Sequence, residues 1–153
     1  MQQKNIVFLL RIALGWIFFY AGITKVLNPA WSAEAFLKGA KTFSDFYISL
    51  IDYLPTINFV NKWSLTLLGI SLILGIFVRL SSILGATLMV LYYLPALNFP
   101  MASTNYYLVD YHIIFILLLL YFASIKAGRI NGMEKDITDS IYKKYPKLKD
   151  YLG

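Results

Sequence analysis

The stretch Ile6-Val-Phe-Leu-Leu-Arg11-Ile-Ala-Leu-Gly15-Trp-Ile-Phe-Phe-Tyr20-Ala-Gly22-Ile-Thr-Lys25-Val-Leu27 decides the fold. A helix needs ~20 mainly apolar residues to cross a bilayer, and this window supplies them with only Arg11 and Lys25 as charged interruptions. At ~100° per residue, Arg11, Gly15, Phe18, Gly22 and Lys25 fall within a stripe about 80° wide. Small residues on such a stripe let a second helix approach closely, and charges on it are directed away from lipid. This face is therefore predicted to look into a bundle. Lys4 before an apolar run could pass for a secretion signal, but Arg11 interrupts the run and no small-x-small cleavage site follows. An uncleaved anchor is expected.

Working outward, 153 residues allow one domain, and 59% hydrophobic content, 14% charge and a mean hydropathy of +0.64 place the chain in a membrane. Besides the window at 6–27, further spans are predicted at about 60–78, 80–97 and 107–125. The expected fold is all-α: an integral membrane four-helix bundle over residues 1–128, followed by a cytoplasmic tail over 129–153. Ser71, Gly75 and Arg79 align on the second span, and Gly85, Met89 and Tyr92 on the third. Between the first two spans, residues 31–41 and 44–54 read as short amphipathic surface helices, the second with Ser44 as N-cap and Pro55 beyond its end. Together they would form a lid on one end of the bundle. A further surface helix is expected over 136–145.

Charge sets the expected orientation. Lys4, Arg11, Arg79, Lys126, Arg129, Lys135, Lys143, Lys144, Lys147 and Lys149 share one side, whereas Lys25, Lys38, Lys41 and Lys62 share the other. Both termini are accordingly expected in the cytoplasm of a multi-pass protein of the cell membrane. The net charge of +6 is assigned to membrane lipid as partner, not to nucleic acid, because the basic residues flank apolar segments and crowd the tail. The absence of cysteine excludes disulfide relay, thiolate catalysis and iron–sulfur ligation. A single histidine argues against a structural metal site or a bis-histidine haem, so no metal or haem is expected.

An ionisable group near the bilayer centre costs ~2.5–3.5 kcal/mol, so each one needs a reason. Arg11 and Arg79 fall near the cytoplasmic ends of their spans, where snorkelling to lipid phosphate is the simple explanation, and Arg129 follows the last span. Lys25, Asp110 and His112 belong to the outer ends, with Asn98, Tyr20, Tyr92, Tyr93 and Tyr111 at similar depth. Lysine and imidazole can neutralise an anion, Asp110 can set the tautomer of His112 or accept its proton, and tyrosines add hydroxyl donors beside flat apolar faces. That set suits a quinone headgroup. The competing reading is a structural ion pair between Lys25 and Asp110, with His112 only interfacial.

Arg11-Ile-Ala-Leu-Gly15-Trp-Ile-Phe-Phe-Tyr20-Ala-Gly22-Ile-Thr-Lys25, Leu68-Gly69-Ile-Ser-Leu-Ile-Leu-Gly75-Ile-Phe-Val-Arg79, Asp110-Tyr-His112 and Ala127-Gly128-Arg129, in this order and spacing, resemble the DoxX/DoxD family. The likeness covers about residues 5–136. It implies a four-helix membrane fold and, for the DoxD branch, a subunit of thiosulfate:quinone oxidoreductase, which oxidises thiosulfate to tetrathionate and passes electrons to quinone. It singles out Arg11, Lys25, Arg79, His112 and Arg129 for testing without giving them roles. Nothing after the fourth span resembles the small partner subunit DoxA, so a separate partner of that kind is implied.

The expected function is a quinone-interacting membrane subunit of an oxidoreductase acting on thiosulfate or a related sulfur compound, with a diffusible quinone as its only cofactor. Lys25, Asp110 and His112 are the expected catalytic residues, and Tyr20, Tyr92, Asn98 and Tyr111 the expected lining for quinone or anion. Arg11, Arg79 and Arg129 are structural or lipid-facing charges. The alternative is a non-catalytic membrane protein that anchors or assembles partners or binds lipid, with homo-oligomerisation open. A small-solute carrier is disfavoured by the lack of a discontinuous-helix repeat.

Overall fold

A computed structural model describes residues 2–103 and 105–134. The expected surface helix over 136–145 lies outside the described residues. The chain runs α1 (Gln3–Val26), α2 (Glu34–Lys38), α3 (Ser44–Ser49), a 3-10 turn (Leu50–Tyr53), α4 (Leu54–Leu74), α5 (Val78–Ala96), a hairpin of β1 (Met101–Ser103) and β2 (Tyr106–Tyr107), α6 (Tyr111–Ser124) and a second 3-10 turn (Ala127–Arg129). Three helical stretches, Gln3–Val26, Ser44–Leu74 and Val78–Ala96, are long and apolar enough to cross a membrane; α6 is apolar but shorter, at 14 residues.

Several boundaries differ from the sequence reading, each for a local reason. Pro55 does not follow a surface helix; it opens α4, where its missing N–H costs nothing because the first turn's donors have no helical partners anyway. The second long helix thus starts at Leu54 instead of about 60. It stops at Leu74 because Gly75 adopts a left-handed conformation (φ 68°) and closes the helix with its N–H on Ser71 O at 2.9 Å. Ser71, Gly75 and Arg79 therefore do not share a helix, and Arg79 sits in the first turn of α5. Helix is confined to Glu34–Lys38 within 31–41, and Phe43, with φ 55°, rather than Ser44, precedes α3. Residues 106–107 pair with the preceding strand, which adds a small antiparallel hairpin to an otherwise helical fold and delays α6 to Tyr111.

Packing follows the predicted stripe. Val7, Arg11, Leu14, Gly15, Phe18 and Gly22 are the buried residues of α1, and this face lies chiefly on α4, while α5 lies chiefly on α6. The α1–α4 approach is close enough to need glycine: a Cβ on Gly22 would stand 2.4 Å from Thr66 N, and one on Gly69 would stand 2.3 Å from Phe19 N. Phe18 reaches α6 edge-on at Phe115, with ring centroids 5.7 Å apart.

The segment between α1 and α4 is stitched to the end of α5. Pro95 has no N–H for Leu91 O, and the Tyr47 hydroxyl donates to that carbonyl instead, at 3.0 Å. Pro95 O accepts from Lys41 N at 2.9 Å and Leu97 O from the Thr42 hydroxyl at 2.5 Å, so carbonyls at the helix end find partners without water. Ala33, Leu37 and Tyr47 form a second small core there, backed by Trp31, Leu54, Ile57 and Leu94. This is a packed cap over one end of the helices.

At the opposite end, Arg11 has no exposed surface. Its guanidinium donates to Ala127 O at 2.6 Å and Asn131 O at 3.1 Å, so it binds the turn after α6 and does not extend outward to lipid phosphate. Ala127 O also takes the Ile130 N–H at 3.1 Å, so the guanidinium uses its second lone pair, and charge-assisted bonds to main-chain carbonyls outweigh snorkelling here. Glu134 is buried beside it, and a Cβ on Gly128 would fall 1.4 Å from the Glu134 carboxylate. Burial pushes the Glu134 carboxyl above its ordinary value, against a Val78 backbone hydrogen bond and the charges of Arg129, Arg11 and Lys126.

Two outcomes follow from this packing. Gly69→Ala and Gly22→Ala, which place a methyl against backbone, should each destabilise the detergent-solubilised protein by about 1–3 kcal/mol or more, whereas Gly39→Ala, with its nearest neighbour at 3.2 Å, should leave the thermal midpoint nearly unchanged. Because the folded pKa of Glu134 is raised, the native state holds more protons than the unfolded chain between the ordinary and raised values, and stability falls as pH rises through that window. Thermal unfolding of Glu134→Gln should thus match or exceed wild type at neutral pH, the gap closing on acidification; a variant weaker at neutral pH would mean that attraction to Arg11 outweighs burial.

Candidate functional site

Asp110 is the N-cap of α6, with extended backbone (φ −120°, ψ −172°). Its Oδ1 accepts the N–H of His112 at 2.9 Å and of Ile113 at 3.4 Å, meeting two donors that the first turn leaves without helical partners. Its Oδ2 lies 2.7 Å from His112 Nδ1. An ionised carboxylate only accepts, so Nδ1 carries a proton, and Nε2 is the acceptor when the ring is neutral and a second donor when it is charged. One side chain therefore starts the helix and fixes the tautomer of the imidazole two residues on. Both residues are buried, at 4% and 8% exposure.

Aromatic rings wall the imidazole. Tyr111 lies against it at 4.1 Å between centroids and Tyr92 meets it edge-on at 6.3 Å; Phe36 meets the other side of this group through Tyr92 at 5.7 Å. These residues line a cleft of about 470 Å3, with Lys25, Trp31 and Asn61 completing its polar and aromatic surface. Asn61 Oδ1 is buried and has no hydrogen-bond partner among the described residues, leaving an acceptor available to a guest.

Lys25 does not pair with Asp110, whose carboxylate is committed to His112. Its ammonium donates to Ala21 O of its own helix at 2.7 Å and stands 5.5 Å from the centre of the Trp31 ring. The ion-pair alternative for Lys25 and Asp110 is thus replaced by a carboxylate–imidazole pair and a separate lysine–indole contact.

Of the sequence-predicted residues, Lys25, Tyr92, Tyr111 and His112 meet at the cleft, with Asp110 behind His112. Tyr20 does not: it is 60% exposed and stacks on Trp16 on the outer side of α1. Asn98 is exposed and bridged to Met101 through paired backbone hydrogen bonds of 2.8 Å. Arg11 and Arg129 belong to the opposite end, as does Arg79, half-buried in the first turn of α5. Trp31, Phe36 and Asn61 were missed. The helical spacing of Asn58, Asn61 and Lys62 was a usable signal, but it lies across a boundary that the hydropathy window placed at about 60. Asn58 has a positioning part, accepting from Ala33 N at 2.8 Å and holding the cap over the cleft.

A second and larger recess, about 650 Å3, lies between α4 and α5 and is lined mainly by leucine and isoleucine. None of the polar groups above borders it.

Long apolar helices with a polar, aromatic-walled cleft at one end define a helical membrane protein. The family model for DoxX matches residues 6–97, more than half of the chain, and the protein belongs to that family. No curated protein and no solved structure matches it. The matched stretch runs from α1 through α5 and includes Lys25, Asn61 and Tyr92, whereas Asp110 and His112 follow it.

Asp110→Ala should cost about 1 kcal/mol of stability through loss of the cap, while Asp110→Asn, itself a good cap, should retain most of it and lose only the charge facing His112. Thermal unfolding of the pair in detergent separates capping from ring orientation; equal losses in both would assign the stabilisation to the carboxylate–imidazole contact.

Proposed function

We propose that this DoxX-family protein is a quinone-interacting membrane subunit of an oxidoreductase, a four-span bundle with both termini in the cytoplasm and its cleft at the outer face. The observation that carries the reading is the buried Asp110–His112 pair, which borders the aromatic cleft beside Tyr92 and Asn61. His112 Nε2 accepts from a quinol hydroxyl or, when protonated, donates to a quinone carbonyl, and Asp110 stabilises the charge that a second ring proton brings. The Tyr92 hydroxyl and the Asn61 amide supply further polar contacts, and the rings of Tyr111, Phe36 and Trp31 supply flat apolar walls.

The electrons are assigned to thiosulfate or a related sulfur compound, two thiosulfate ions joining as tetrathionate with release of two electrons, and quinone taking up both with two protons. That assignment rests on the resemblance to the DoxD branch, as does a partner subunit resembling DoxA for the donor side. α6 supports the fourth span by joining both ends: Asp110 and His112 stand at the cleft, and Ala127 just past its end meets Arg11. Its 14 residues rise about 21 Å, within one residue of the stretch from Arg11 to Lys25 on α1. A non-catalytic lipid-binding or anchoring role is the second reading, favoured by the apolar recess between α4 and α5.

Purified protein in nanodiscs should bind a short-chain quinone saturably, with affinity reduced about tenfold or more in His112→Ala and less in Tyr92→Phe. Together with its partner it should reduce that quinone on addition of thiosulfate. Wild-type affinity in both folded variants removes the cleft as the quinone site, and co-purified lipid without quinone binding favours the second reading.

A further inference from the structure

Two cations approach the Trp31 ring. Lys25 Nζ on α1 and Lys62 Nζ on α4 each stand 5.5 Å from the centre of its ring, so the two ammonium groups are separated by no more than twice that distance. Two ammonium groups within that limit concentrate positive charge at one place, which a carboxylate would ordinarily offset. Neither lysine has one among the described residues: Glu34, three positions after Trp31, pairs with Lys38 at 2.6 Å, and Asp110 pairs with His112 at 2.7 Å. Cation–π contact with one indole offsets part of the repulsion but removes no net charge. Lys25 spends one of its three N–H donors on Ala21 O, which leaves donors on both ammoniums for an external acceptor.

The surroundings show what kind of acceptor fits. Leu27 is 74% exposed and Phe59 64%, and Trp63 packs beside Phe59 at 6.4 Å between ring centroids. The lysine pair is thus flanked just past the end of α1 and on α4 by exposed apolar and aromatic side chains, the setting in which membrane-interface residues meet headgroups and the first carbons of acyl chains. We infer that Lys25 and Lys62, held about Trp31, form a binding site for the phosphate of an anionic phospholipid, whose acyl chains run along the exposed faces of α1 and α4. The site adjoins the rim of the cleft but uses Lys62, which does not line it, and it goes beyond the quinone reading without depending on it.

The test uses the full chain in phosphatidylcholine nanodiscs with and without phosphatidylglycerol, read by native mass spectrometry for retained lipid and by Trp31 fluorescence in a Trp16→Phe, Trp63→Phe background. Wild type should retain phosphatidylglycerol over phosphatidylcholine, and Lys62→Gln should weaken that preference about fivefold, as for loss of one interfacial cation. Lys62→Arg should keep it, and Lys38→Gln, whose partner is Glu34, should leave it unchanged. Quinone affinity should persist in Lys62→Gln, which separates failure of this site from failure of the cleft. A fluorescence change saturating with inorganic phosphate in pure phosphatidylcholine, without lipid preference, would replace the lipid source with a free anion. Unchanged phosphatidylglycerol retention in folded Lys62→Gln, or equal loss in Lys38→Gln, overturns the inference.

Discussion

The guanidinium of Arg11, buried without exposed surface, holds one end of this molecule together. Charge inside a bundle costs too much to persist without partners, and here the partners are main-chain: Ala127 O and Asn131 O, carbonyls beyond the last helix. The bonds join the first helix to the segment after the sixth. The glycines around them have the same origin. A Cβ on Gly75 or on Gly132 would stand 2.7 Å from Arg11 Nη1, and Gly128 leaves room for Glu134. Met133 N, bonded to Leu74 O at 3.1 Å, then ties this segment to the end of α4. Arg11 and Gly75, both within the stretch that the DoxX family model matches, are therefore neighbours of Ala127 and Gly128 in one clasp. Their distance from the cleft assigns them to architecture.

The other end meets the same demand for paired backbone groups by different means. Pro95 leaves Leu91 O without its helical donor, and Tyr47 provides one; Asp110 caps α6 with the carboxylate that also orients His112. In an apolar environment such pairings are close to obligatory. The segment between α1 and α4 consequently has defined attachment points, and it brings Trp31 and Phe36 to the cleft where helices alone would leave it open. Cap and cleft are products of one set of hydrogen bonds.

Much of the fold was legible in the sequence because burial in a membrane chain follows helical phase. The stripe through Arg11, Gly15, Phe18 and Gly22 is the buried face of α1, and Gly85 and Met89 are buried on α5. Helix ends were less legible, since hydropathy averages over a window while Pro55 and Gly75 act at single residues. The site was partly legible. Asp110 and His112 are two residues apart, so their pairing needs only a cap, but Tyr20 and Tyr92 look equivalent by depth and differ wholly in which way they face.

By itself the sequence determined that the chain is a helical membrane protein, which face of the first helix is inward, and that its ionisable residues collect toward the helix ends. Those follow from period and hydropathy, properties local to a segment. Tertiary structure alone decided that Arg11 is a buried clasp instead of a lipid-facing charge, that Lys25 meets Trp31, which Lys62 also approaches, instead of Asp110, and that Asn61 enters the cleft. Each of these depends on the rotation of one helix against another and on where a non-helical segment docks. Such relations are set by close packing at glycines and by pairing of stranded backbone groups, and they join residues far apart along the chain.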